Sequence, residues 1–381
     1  MPTAAVIVVG DIGRSPRTAN HALSLAEEKG YEVCLIGYAE SALNERIANH
    51  KRISVIPVSP PRPLPKCIPE LLVLIWRFGW TFMTLLTALL FRVGWSLNIV
   101  LVQNPPALPA LIVAWMVSFL RDARFVIDWH NYTWSMLGER WKMGEKELGL
   151  EMNEDSSEVK EEKQKKRLKG GKANYIRVTH YLEGALGRAA HSSLCVSAAM
   201  AADLKKRWAV DATVFYDRPP GWKFGTVSLS SKHSLFYSLG EKAMEEGDRE
   251  TADILMGGRR EKDSQDTFFS RRSKSGEISL REDRPLIVIS STSWTPDEDF
   301  SILLDGVVKY NEKAMIKESN LPHLFLIITG KGPEKEYYMD KIDQLHLSHV
   351  SFYSPWLEAA DYPIAVAAAD LGVCLHTSTS G

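Results

Sequence analysis

The chain has 381 residues, 45% hydrophobic and 24% charged, with 46 basic and 47 acidic side chains and a formal charge of −1. That length predicts two domains or one large one, and the apolar fraction excludes global disorder. The balanced charge gives no electrostatic footprint for DNA or RNA, so nucleic acid is not an expected partner.

Four cysteines, Cys34, Cys67, Cys195 and Cys374, form no zinc spacing and no secreted disulfide scaffold. No metal is expected. Cys34, Cys195 and Cys374 sit in apolar strand-like runs and read as buried thiols in a reducing compartment.

The chain enters its first strand, Ala4–Gly10, with no leader pattern ahead of it. Further strands are expected at Glu32–Gly37, Arg52–Val58, Asn98–Gln103 and Ala123–Asp128, with helical patterns at Ser15–Lys29 and Pro106–Leu120. Strands alternating with helices predict a parallel α/β sheet, and runs such as VIVV predict one covered on both faces. The first strand runs into GDIGRSPR, Gly10–Arg17. Its small residues suit either a phosphate-approaching turn or a tight packing turn. The spacing is GxxG, which excludes the dinucleotide and Walker readings.

Leu71–Leu97 is the most apolar stretch. Between Arg77 and Arg92 lie 14 uncharged residues, about 21 Å of helix against a hydrocarbon core of ~30 Å. Two readings stand: an interfacial helix with arginines and Trp76, Trp80 and Trp95 at headgroup depth, or a core helix. At the end of the fifth strand stand Asp128, Trp129, His130, Asn131 and Tyr132, where ligands of α/β sheets bind. Asp128 and His130, as i and i+2, share a strand face. They read either as a base with its orienting carboxylate or as a helix cap and a structural histidine.

Lys142–Lys172 is dense in charge and reads as a disordered insertion. Order is expected again at helix Tyr175–Ala190, strand Ser193–Val196, helix Ala198–Trp208 and strand Ala212–Tyr216, closing a first domain over 1–216. Residues 217–283 read as an irregular connection. A second α/β series occupies 284–381: strands Pro285–Ser290, His323–Thr329, Val350–Tyr353 and Leu371–Leu375, with helices Asp299–Asn311, Glu334–Leu345 and Glu358–Ala368. Since Gly381 follows a strand, this doubly wound domain is expected to be incomplete. Three of its strands end in small or hydroxylic turns carrying Ser291 and Thr292, Lys331 and Gly332, and Ser378 and Ser380, an edge suited to a diphosphate.

Two Rossmann-like halves suit the GT-B architecture. The blocks GDIGRSPR, HALSLA, QNPPALP, VIDWHNY, SSTSWTPDEDFSILL, ITGKGP, PWLEAADYP and ADLGVCLHTSTSG occur in order through both halves. Together they resemble the chitobiosyldiphosphodolichol β-mannosyltransferases. The resemblance implies an inverting GT-B enzyme without a cofactor. It would move mannose from GDP-mannose to GlcNAc2-diphosphodolichol in a β1,4 bond, on the cytoplasmic face of the endoplasmic reticulum membrane. Other mannosyltransferases of the pathway are implied as partners. Carried over by position, His130 and Asp128 are the catalytic pair, and Gly10, Asp11, Gly13 and Arg14 line the acceptor side. Ser291, Thr292, Lys331, Gly332, Ser378 and Ser380 meet the donor. A non-catalytic binding or assembly subunit is the alternative reading.

Overall fold

The computed structural model describes residues 1–65, 67–150, 170–258, 265–295, 298–316 and 318–375. The chain divides into two compact units, Met1–Arg218 and a second beginning at Pro219.

The first unit is built on seven parallel strands: β1 Thr3–Asp11, β2 Glu32–Tyr38, β3 Ile53–Pro57, β4 Leu97–Asn104, β5 Arg124–Trp129, β6 Ser192–Cys195 and β7 Ala212–Val214. Their order is β3-β2-β1-β4-β5-β6-β7. In β1 the side chains alternate faces: Ala5 and Ile7 enter one core cluster, Val6 and Val8 another. Both sets are buried, so the continuous apolar run marks a sheet with helices on each side. Strand order reverses between β1 and β4, which makes the carboxyl ends of these strands the switch point.

The apolar stretch forms helix Glu70–Thr87, continued by a π turn over Ala88–Arg92. It is long and apolar enough to cross a membrane by length and composition, yet only 17% of its window is buried. The two readings divide along its length: Leu85, Ala88 and Leu89 pack into the core of the first unit, whereas most of the N-terminal part is exposed. The snorkelling picture also changes in detail. Arg92 donates to the Pro57 carbonyl at 2.9 Å, and Trp80 and Trp76 donate to the Ser59 and Arg62 carbonyls. These polar tips bind the chain after β3 to the helix. Arg77 remains exposed.

The insertion expected over 142–172 falls mainly on 151–169, outside the described residues. Its flanks are ordered: helix Glu145–Leu148 buries Leu148 completely, and helix Gly171–Ala189 begins before the expected Tyr175.

The second unit carries a parallel sheet of β10 Leu286–Ser291, β11 Leu324–Thr329, β12 Val350–Tyr353 and β13 Leu371–Val373, ordered β12-β11-β10-β13. The region expected as an irregular connection is instead largely structured. It holds helices Leu229–Glu245 and Arg249–Leu255 and a hairpin of β8 Ser270–Arg272 and β9 Ile278–Leu280. Leu235, Phe236, Leu239, Phe268 and Phe269 pack with Ile287, Ile289, Phe325 and Ile327. Each such side chain contributes about 1.5–3 kcal/mol on burial, so the segment forms one cover of the sheet. Of the thiols expected to be buried, Cys195 is, Cys34 is half-buried, and Cys374 is exposed because β13 lies at the sheet edge.

Candidate functional site

The carboxyl ends of β1, β4 and β5 gather a buried charge cluster around Asp128, itself 1% exposed. Helix Pro16–Glu27 lays Arg17 and His21, one turn apart, against that strand end. Arg17 grips Asp128 in bidentate fashion, Nε to Oδ2 at 2.8 Å and Nη2 to Oδ1 at 2.7 Å. Its Nη1 donates to the Phe215 carbonyl at 2.6 Å and to Asp217 Oδ1 at 2.8 Å. His21 Nε2 and His130 Nε2 also reach Asp128 Oδ2, at 3.0 and 2.9 Å. Phe215 stacks on His21 and lies under the Arg17 guanidinium.

Burial by itself would raise the Asp128 carboxyl. Hydrogen bonds from Arg17, His130 and His21 outweigh it and hold the group well below the usual carboxylate range. Burial likewise opposes the Arg17 charge, but Asp128 and Asp217 more than compensate and raise its pKa. Asp128 is thus a permanent anion, and the ring nitrogens facing it act as donors. Because Nε2 of His130 carries the proton, Nδ1 is left with the lone pair. Arg17, Asp128 and Asp217 sum to one net negative charge, the excess carried by Asp217, which is 64% exposed.

The glycine turn stands next to this cluster. Asp11 Oδ1 accepts from the backbone N–H groups of Gly13, Glu40 and Ser41 at 3.3, 3.2 and 3.1 Å. The Ser41 hydroxyl leads these contacts in lowering the Asp11 carboxyl. Its work is to tie the turn after β1 to the turn after β2, and Gly13 is required there because a Cβ would lie 2.7 Å from the Ala42 carbonyl. Gly10 has room beside it. The Arg14 side chain is 82% exposed and donates to Ser41 Oγ at 3.1 Å.

Glu183, the one acidic residue of helix Gly171–Ala189, is fully buried. Its carboxyl accepts from Asn104 Nδ2 and Thr133 N, both at 2.8 Å, and from Trp134 N at 3.2 Å. It therefore caps helix Thr133–Arg140 and fixes the chain just beyond His130. Burial pushes its pKa up to about 7, against these hydrogen bonds. Below that value the acid stays protonated in the fold, whereas the unfolded chain ionises it from about pH 4.5 upward. Its contribution to stability is therefore full below pH ~4.5 and is lost as pH rises through about 7. Urea titrations between pH 5 and 8 are expected to show that decline, and Glu183→Gln, which mimics the neutral acid, should flatten it.

In the second unit, Ser291 ends β10 and Thr292 follows it, beside the Gly330–Gly332 turn after β11. Ser291 Oγ meets Tyr362 Oη at 2.8 Å. The Thr292 hydroxyl donates to buried Glu298 and accepts from Trp294 N at 2.8 Å. The Lys331 ammonium lies 4.0 Å from the centre of the Trp356 ring. Gly330 has φ +140°, and a Cβ on Gly332 would lie 1.7 Å from the Ser293 carbonyl oxygen. Gly332→Ala must separate two backbones and is expected to destabilise this unit by about 1–3 kcal/mol, measurable as a lower urea midpoint. Ser378 and Ser380 lie outside the described residues.

The structure therefore brings Asp128, His130, Gly10, Asp11 and Gly13 to one sheet edge, and Ser291, Thr292, Lys331 and Gly332 to another. Sequence reasoning missed Arg17, His21, Asp217 and Glu183. The i, i+4 spacing of Arg17 and His21 next to the glycine turn was the available signal.

No family model matches the chain. A protein from Arabidopsis thaliana named UDP-glycosyltransferase TURAN is 37% identical over 99% of this chain and 77% of its own length. Proteins named chitobiosyldiphosphodolichol beta-mannosyltransferase are 34% identical in Mus musculus and Homo sapiens, covering 99% and 98% of this chain and 70% and 72% of theirs. Similar solved structures include a sucrose-phosphate synthase from Thermosynechococcus elongatus, with TM-score 0.48 and 11% identity over 98% of this chain and 75% of that one. Another is WaaG, a glycosyltransferase of lipopolysaccharide biosynthesis, with TM-score 0.42 and 12% identity over 98% and 74%.

Proposed function

The chain belongs to the chitobiosyldiphosphodolichol beta-mannosyltransferase family, and from that premise we propose that it transfers mannose from GDP-mannose to GlcNAc2-diphosphodolichol with inversion, forming a β1,4 bond. The observation that carries the proposal is the hydrogen-bonded Asp128–His130 pair, with Asp128 gripped by Arg17 at the carboxyl end of β5. Inversion by single displacement needs one base for the acceptor hydroxyl proton. His130 Nδ1 takes that proton. Asp128 fixes the tautomer and balances the imidazolium, while Arg17 holds Asp128 in place. Asp128 does not itself accept the proton, because four donor groups from Arg17, His21 and His130 keep it ionised.

On the acceptor side, Gly10 and Gly13 let the backbone approach the sugar, Asp11 shapes the turn and Arg14 offers an exposed cation. On the donor side, Ser291, Lys331 and the backbone around Thr292 and Gly332 stabilise the charge that develops on the leaving nucleoside diphosphate. Ser378 and Ser380 join them. The exposed apolar helix supports attachment to a membrane; the endoplasmic reticulum, its cytoplasmic face and other mannosyltransferases of the pathway as neighbours belong to the proposal through the family reading.

Calorimetric titration with GDP-mannose tests the donor half of the proposal. Saturable binding is expected, weakened by Lys331→Ala. Absence of heat up to millimolar nucleotide sugar, in a folded sample, would contradict it.

A further inference from the structure

The first unit holds a cavity of about 440 Å³, within the range of roughly 300–1,000 Å³ of small-ligand pockets. Its lining includes Val9 of β1, Tyr38 of β2, Pro106 after β4, Leu137, and Leu74 and Phe78 of helix Glu70–Thr87. Val9 precedes Gly10, and Thr133, also in the wall, follows His130 by three residues. The cavity therefore shares the carboxyl ends of β1 and β4 with the Asp128 cluster, although Arg17, His21, Asp128 and His130 do not line it.

Three features narrow the occupant. The wall is dominated by aliphatic, aromatic and proline side chains, so the bound part is apolar. Arg77 also lines the cavity and is exposed, with its charge near Tyr38 and no carboxylate paired with it among the described residues, so that margin is suited to an anion. The helix that supplies Leu74, Arg77 and Phe78 turns further apolar side chains to solvent: Leu72 is 53% exposed, Ile75 59% and Met83 57%. Such a surface fits a bilayer. The same helix thus contributes both to the cavity wall and to the exposed apolar face.

We propose that this cavity seats the first isoprenoid units of a polyprenyl diphosphate acceptor, with Arg77 at its diphosphate. The inference rests on the family reading for the acceptor's chemistry, and it adds where and how the lipid is held. The apolar chain is gripped by the protein itself, so acceptor length is sensed at the site.

The test measures binding in detergent micelles, without GDP-mannose, so that neither bilayer docking nor catalysis enters. The probes are phytanyl-diphosphochitobiose and an analogue carrying a single isoprene unit. The intact chain is expected to bind the phytanyl compound at least tenfold more tightly. Leu74→Trp, which fills the cavity, should erase that preference and leave the short analogue within twofold. Arg77→Ala, at an exposed position, should weaken both probes about tenfold. Equal affinity for the two probes, or a Leu74→Trp effect of the same size on both, overturns the proposal. So does a change in sedimentation with Leu74→Trp and unaltered binding, which would assign the cavity to a protein contact. Transfer with GDP-mannose is assayed separately, so failure of the enzyme reading is distinguishable from failure of the cavity.

Discussion

His130→Ala is expected to lower mannosyl transfer by ~10²–10⁴ and to leave the fold intact. The histidine has a partly open side chain, 23% exposed, and its ring makes one hydrogen bond, to Asp128. Asp128 keeps Arg17 and His21 as partners when the ring is removed. The stability cost should stay near the ~1.5–3 kcal/mol of one hydrogen bond to a charged group. His130→Gln separates positioning from proton transfer: the amide can donate to Asp128 but supplies no base. Both variants should therefore fall together in kcat. Retention of more than about a tenth of the original rate in His130→Ala would remove the histidine from the base role.

Asp128→Asn acts on stability first. The change leaves the Arg17 guanidinium buried at 6% exposure, with Asp217 as its remaining carboxylate, which is itself 64% exposed. It also places an amide among four donors. Breaking a buried pair by removing one partner costs about 3–5 kcal/mol, which should appear as a lower urea midpoint at pH 7. Since the native Asp128 pKa is depressed, the stabilisation lost in the variant is fully present above the ordinary carboxylate range, begins to fade as pH falls into it, and is gone only once pH falls through the far lower native value. The two proteins should therefore converge in acid. A variant as stable as the parent at pH 7 would mean that Arg17 does not depend on Asp128.

Much of the fold could be read in the sequence because both sheets are parallel and covered. Runs such as Ala4–Val9 and Leu324–Ile328 are apolar on both faces, so strand positions stood out whatever their neighbours. Helix Leu229–Glu245 was missed although Leu235, Phe236, Leu239 and Ala243 carry the helical period. Serine, lysine and histidine between them gave the segment a loop-like composition. The first expected helix after the prolines began at Pro106; it begins at Ala110, after Pro109, which brings no N–H to the turn.

At the site, the Asp128–His130 contact followed from strand periodicity, a local property. The Arg17 grip joins residues 111 apart and has no local signature beyond its spacing from His21. Asp11 and Thr292 show a second limit. A carboxylate or hydroxyl at a strand end can hold a ligand or hold a loop, and the residue type is the same for both. Here Asp11 binds the backbone of residues 40 and 41, and the Thr292 hydroxyl binds Glu298.

The central claim is that this chain moves mannose from a nucleotide donor to a lipid-borne chitobiose through His130. Its most direct measurement is transfer of labelled mannose from GDP-mannose to phytanyl-diphosphochitobiose, with this chain as the sole enzyme and His130→Ala run beside it. A β-linked trisaccharide lipid is expected from the first and at most about a hundredth of that rate from the second. A folded chain that yields no mannosylated lipid, or a His130→Ala variant that keeps pace with its parent, would contradict it.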